Sequence, residues 1–231
     1  MNYTPEILFE DNHLLIVNKK AGELAQGDHT GDIPIIDSLK SFIKIRDHKP
    51  GNVYLGLIHR LDRPTSGILI FAKTSKALSR MNEMFKTREV QKAYWAIVEG
   101  KPRKQFERLE HFLRKNQKNN KTTVFTKETP NAKKAILEYK VVNFLDNYTL
   151  VEVDLFTGRS HQIRSQLSFI GHSIKGDLKY GAKRSNPNGS ISLHAREIEF
   201  THPVKKEKIK ITAPPPTENI WQECLKFDVS N

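Results

Sequence analysis

Short apolar blocks separated by turn formers open the chain. Residues 7–18, ILFEDNHLLIVN, set two such blocks around Asp11-Asn12, a pattern that predicts a pair of strands. Ile35, Ile36, Leu39, Phe42 and Ile43 then recur at helical spacing behind Pro34, a residue suited to an early helical position. From Val53 the chain runs VYLGLIH, polar RLDRPTSG, then the unbroken apolar ILIFA. This predicts strand, loop and strand, with the loop displaying the chemistry. Ser75 is placed to cap a helix carrying Leu78, Met81, Met84 and Phe85 on one face.

Residues 91–99, QKAYWAIVE, alternate as a strand does, with Tyr94, Ala96 and Val98 on one face and Ala93, Trp95 and Ile97 on the other. Strands over 135–144 and 148–155, joined at Asp146-Asn147, form a predicted hairpin. Ser160 is expected to cap a helix with Ile163, Leu167 and Ile170 as its buried stripe and Gly171 as its stop. His161 and Arg164 share a neighbouring face of it. A further strand over 191–200 and a short helix carrying Ile220, Trp221 and Leu225 complete the pattern. Only residues 101–129 lack a clear period. Lys101, Arg103, Lys104, Arg108, Arg114, Lys115, Lys118 and Lys121 stand there among Asn and Gln, as in an exposed basic arm or hairpin.

Length and charge narrow the picture. The 231 residues suit a single domain spanning 1–231 with a sizeable core. Lys and Arg number 38 against 26 Asp and Glu, a formal charge of +12, which favours a polyanionic partner such as nucleic acid. A solvated basic surface would explain the charge equally well. The single cysteine, Cys224, excludes an intrachain disulfide and a multi-cysteine zinc site, and fits a reducing cytoplasmic setting. The first dozen residues lack a signal-peptide pattern, and no stretch approaches the roughly 20 apolar residues of a membrane helix. A soluble, unprocessed chain is expected.

Candidate chemistry centres on residues 59–67, HRLDRPTSG, where one carboxylate, Asp62, stands between two arginines on a turn shaped by Pro64 and Gly67. Neighbouring positive charge favours the anion, and an anion held in a cleft is a candidate nucleophile. Taken by itself, the segment fits a structural aspartate closing a turn at least as well. Residues 157–164, TGRSHQIR, place basic groups at a helix start, where outward-facing amides suit an anion such as phosphate or Asp62 itself. A capped helix with exposed arginines is the plainer explanation. The nine histidines show no metal-ligand spacing with a cysteine or acid cluster, and His59, His161 and His194 are read as structural.

Taken together in chain order, HRLDRPTSG, KAYWAIVEG, TGRSHQIR and SLHAREIEFTHP resemble the successive motifs of the RluA-type pseudouridine synthase family, as far as about Pro203. The first and third motifs are the specific ones. The resemblance implies an α+β fold, a mixed, largely antiparallel sheet with flanking helices and a central basic cleft. It also implies that the small N-terminal RNA-binding domain of some members is absent. It implies an isomerase that converts a uridine of structured RNA, ribosomal or transfer, to pseudouridine. No cofactor, metal, membrane or protein partner is required, and a monomer is expected. Asp62 matches the essential aspartate, Arg164 the basic residue that pairs with it, and Tyr94 the aromatic that stacks on the target uracil. Leu193 matches an apolar residue packed against the site. Arg60 matches a residue implicated in filling the space of the flipped base, and Arg159 is a candidate phosphate contact. Lys20, where Pro commonly follows Asn-Lys, and Ser165-Gln166, where Val-His is frequent, depart from the pattern. Two alternatives stay open, an RNA-binding protein without catalysis and a nucleoside or glycoside hydrolase. The latter normally needs two carboxylates, with Asp154 and Asp177 as possible but more plausibly structural second members.

Overall fold

Asp11 sets the first turn as the sequence predicts: its Oδ1 accepts the backbone N–H groups of His13 and Leu14, each at 2.8 Å. This reverses the chain between β1 (Ile7–Glu10) and β2 (Leu14–Lys19). The computed structural model describes residues 3–27 and 31–226. After β2 come α1 (Ile35–Arg46), β3 (Gly56–Leu57), β4 (Ser66–Ala72) and α2 (Ser75–Thr87). Next are β5 (Gln91–Glu99), β6 (Phe106–Asn116), β7 (Lys121–Phe125), β8 (Lys133–Phe144) and β9 (Tyr148–Leu155). The chain continues through α3 (Gln162–Phe169), a 3-10 turn over Leu178–Tyr180, β10 (Leu193–Thr201), β11 (Lys208–Thr212) and α4 (Asn219–Leu225). Among the described residues, four helices and a mixed, largely antiparallel set of strands give the α+β class. No helix among the described residues is long and apolar enough to cross a membrane.

The chain divides into two units, residues 1–90 with 196–214, and residues 91–195 with 215–231. In the first, β4 is buried along its whole length and pairs antiparallel with β2 from Leu14↔Ala72 to Lys19↔Gly67. Such an unbroken apolar strand belongs inside a sheet covered on both faces. Helix α1 buries Ile35, Leu39 and Ile43, one stripe at four-residue spacing. Its last-turn Arg46 grips Glu10 with both terminal nitrogens, at 2.6 and 2.8 Å. The strand expected over 53–59 shrinks to β3, because Tyr54 is 48% exposed and lacks a sheet neighbour among the paired residues. Helix α2 is capped by Thr74 rather than Ser75: Thr74 has extended backbone, and its side chain accepts the Ala77 N–H at 3.1 Å. Unforeseen in the sequence, β11 pairs antiparallel with β10 from Glu197↔Thr212 to Thr201↔Lys208.

In the second unit β5, β9, β8, β6 and β7 pair in that order, each pair antiparallel. The basic segment over 101–129 therefore holds two strands, β6 and β7, joined at residues 117–120. Trp95, Ile97 and Leu150 pack with Trp221 and Cys224 of α4. Burial there pushes the Cys224 thiol up to about 11, which keeps it protonated and unreactive. Helix α3 ends as predicted, on Gly171 at φ +91°, with Gly171 and His172 donating back to Ser168 and Leu167. Its start differs from expectation. Ser160 is not the cap, for His161 precedes the helix in left-handed backbone at φ 51° and bonds no cap amide. Buried Gln162 closes the turn instead, its Oε1 accepting the Arg159 N–H at 3.0 Å and the Thr157 hydroxyl at 2.8 Å.

Candidate active site

In the first unit, Asp62 lies half-buried on the loop between β3 and β4. Its carbonyl accepts the Thr65 N–H at 3.0 Å, closing a tight turn over Arg63 and Pro64. The next residue, Arg63, latches this turn to the segment after β2. Its carbonyl accepts the Gly22 N–H at 2.8 Å and the Lys19 Nζ at 3.2 Å. Its Nε donates to the Gly22 carbonyl at 3.0 Å, and its Nη2 meets Asp32 Oδ2 at 2.7 Å. Gly22 can serve here because its φ of +95° is open to glycine and strained for other residues. Beside Asp62, Leu61 is buried, Arg60 is exposed, and the His59 ring stacks on Phe85 with centroids 5.1 Å apart.

Sequence reasoning missed Lys19. It is fully buried at the end of β2, and its ammonium donates to the carbonyls of Lys20 and Arg63. Burial lowers its pKa from 10.5 to about 8, against the opposing pull of Glu23 and Asp62, with Arg63 lowering it further. The available signal was its alternation with Leu15 and Val17 on one face of the strand. In an unfolded chain lysine titrates near about 10.4. Between about pH 8 and pH 10 the unfolded state therefore binds more protons at this position, and Lys19's contribution to stability rises with pH. Urea unfolding across that range is expected to show the wild type gaining stability relative to Lys19→Met as pH rises. A difference independent of pH would mean that burial does not disfavour the Lys19 charge.

The second unit holds the remaining site candidates. Tyr94 is 8% exposed on β5, paired with Val153 of β9. Lys92, two residues earlier and so on the same face, places its Nζ 3.9 Å from where a Cβ on Gly158 would stand. Desolvation lowers its pKa, and the sequence reading passed it over. Arg159, half-buried, donates from Nε to the Lys134 carbonyl at 3.0 Å. Leu193 is buried at the start of β10.

Arg164 is buried, and its Nε and Nη2 donate to the two carboxylate oxygens of Asp177 at 2.6 and 2.8 Å. Two parallel charge-assisted bonds fix the plane of the guanidinium as well as its position. Asp177 lies just ahead of the 3-10 turn, and nothing in its local sequence advertises the pairing.

A family model described as RNA pseudouridylate synthase matches residues 13–169. The chain is 35% identical over 214 residues to the ribosomal large subunit pseudouridine synthase C of Vibrio vulnificus, a match covering 90% of this chain and 65% of the relative. It therefore spans just under two thirds of that relative's length. It is 32% identical over 225 residues to the ribosomal large subunit pseudouridine synthase D of Zymomonas mobilis, covering 92% of this chain and 70% of the relative. Among solved structures, Human RNA Pseudouridylate Synthase Domain Containing 4 aligns with a TM-score of 0.78 at 25% identity, over 96% of this chain and 92% of that one.

Proposed function

Since the chain belongs to the RNA pseudouridylate synthase family, we propose that it isomerises a uridine of structured RNA to pseudouridine, with Asp62 as the catalytic carboxylate. The observation that carries this reading is the family motif around Asp62 set on a turn that Lys19, at the end of β2, and Gly22, just beyond it, hold through Arg63. The names of the bacterial relatives favour large-subunit ribosomal RNA over transfer RNA as the substrate.

The reaction breaks the bond from uracil N1 to ribose C1', turns the base, joins C5 to C1', removes the C5 proton and leaves N1 protonated. Nothing is oxidised and no group is imported. Attack on C1', addition to C6 and abstraction of a sugar proton all require the same thing of the protein, an anionic carboxylate at a fixed place. All three also require the base out of its stack, at a cost of a few kcal/mol. Stacking on Tyr94 returns about 1 to 3 kcal/mol of that. Arg164 serves as the basic partner of the carboxylate, with Leu193 as apolar packing. Arg60 takes the space of the flipped base. Arg159 and the lysines and arginines of the β6–β7 hairpin bind phosphate, which positions RNA without reading its bases. Recognition then depends on RNA shape and unpaired bases.

The hydrolase alternative needs a second carboxylate beside the bond, and both oxygens of Asp177 are engaged by Arg164. Product identity separates the readings. Incubated with an in vitro transcript of large-subunit ribosomal RNA, the protein is expected to yield pseudouridine on nucleoside chromatography. Free uracil would indicate a hydrolase, and unchanged but bound RNA a binding protein.

A further inference from the structure

Arg164 is held by more than its ion pair. Its Cζ lies 5.1 Å from the centroid of the Tyr180 ring, a distance at which a guanidinium is attracted to an aromatic face. Asp177 directly precedes the 3-10 turn and Tyr180 ends it, so one short segment supplies both the carboxylate and the ring. Tyr180 is buried, and its hydroxyl is committed on the far side. The phenol oxygen accepts the Thr122 backbone N–H at 2.8 Å and lies 2.8 Å from His161 Nδ1. A phenol that accepts an N–H retains its own proton to donate, and His161 Nδ1 is positioned to receive it. Thr122 belongs to β7, and its side chain donates to the Ser160 carbonyl at 2.9 Å. Lys121, the first residue of β7, sets its ammonium 5.6 Å from the same ring. The Tyr180 side chain thus joins the basic hairpin, the turn before α3 and the Arg164 guanidinium.

We propose that Tyr180 is a positioning residue for Arg164, anchoring the guanidinium to strand β7 so that RNA phosphates bound on the hairpin help set its orientation. The inference rests on the isomerase reading of the preceding subsection. Its chemical basis is that catalytic geometry is unforgiving: a misplacement of about 1 Å costs on the order of 100-fold in rate. The hydroxyl is the part of Tyr180 that carries the link to β7, while the ring is the part that meets Arg164.

The test compares wild type, Tyr180→Phe and Tyr180→Leu on the transcript of large-subunit ribosomal RNA. It measures the single-turnover rate of pseudouridine formation, the RNA Kd by filter binding, and Tm. Tyr180→Phe keeps the ring and is expected to slow turnover by about 10-fold, with Kd within about twofold of wild type, at a temperature well below its Tm. Tyr180→Leu, which also loses the ring, is expected to fall by about 100-fold. If the leucine variant does not fold, the phenylalanine variant decides alone. A Tyr180→Phe rate equal to wild type, or a loss matched by an equal loss of RNA affinity, would overturn the proposal while leaving the isomerase reading intact. A wild type that forms no pseudouridine overturns that reading, and the inference with it.

Discussion

Asp62→Asn is expected to slow pseudouridine formation by at least about ten-thousandfold while leaving RNA affinity within about twofold. Removal of a nucleophile or of its direct activator costs rates of this order in other enzymes, which corresponds to about 5 kcal/mol of transition-state stabilisation. Asparagine matches aspartate in shape but lacks the charge and replaces one acceptor oxygen by an amide donor. The turn itself is held by backbone atoms, through the Thr65 N–H on the Asp62 carbonyl and the Gly22 N–H and Lys19 ammonium on the Arg63 carbonyl. The substitution therefore removes the anion and keeps its mount. Single-turnover assays beside filter binding check both halves. Equal loss of rate and of binding would make Asp62 a contact for RNA, and an unchanged rate would remove it from the chemistry.

Asp177→Ala carries the largest expected effect on stability. Asp177 and Arg164 are buried together, with side chains 1% and 7% exposed, and both carboxylate oxygens accept from the guanidinium. Deleting one member of such a pair costs about 3 to 5 kcal/mol, because the desolvated charge stays behind without its counter-ion. At about 2 to 4 °C per kcal/mol for a chain of this size, Tm falls by about 10 °C. Thermal unfolding followed by circular dichroism measures it. A shift under about 2 °C would show that water reaches Arg164 and replaces the carboxylate.

Periodicity made much of the fold legible. The strand-like run over 91–99 located β5 at both ends, and the four-residue spacing of Ile35, Leu39 and Ile43 found the buried face of α1. Gly171 marked the end of α3 because only a glycine takes that φ readily. The errors share a cause. Ser75 and Ser160 each looked like a helix cap by residue type, yet capping depends on backbone angle and on which oxygen reaches the amide: in α2 both fall to Thr74, and α3 starts after His161 with no side-chain cap. Strand β11 is hard to find because its two isoleucines, Ile209 and Ile211, alternate with exposed Lys208, Lys210 and Thr212 and are only half-buried.

The candidate site was legible where its residues cluster in motifs and illegible where they depend on tertiary contact. HRLDRPTSG and TGRSHQIR announce Asp62, Arg159 and Arg164 within short spans. Lys19, Asp177 and Tyr180 acquire their roles from neighbours distant in sequence: Arg63 for Lys19, Arg164 for Asp177, and Thr122 for Tyr180. No local pattern encodes those pairings. The pairing of Arg164 with Asp177 also changes how the basic residue is understood, since its orientation in its own unit comes from the segment following α3.

Conversion of uridine to pseudouridine through Asp62 is tested most directly by a map of pseudouridines in total RNA from cells with and without the gene. At least one site in large-subunit ribosomal RNA is expected to be lost on deletion, restored by the wild-type gene and not by the Asp62→Asn variant. An unchanged map, or full restoration by Asp62→Asn, would contradict that reading.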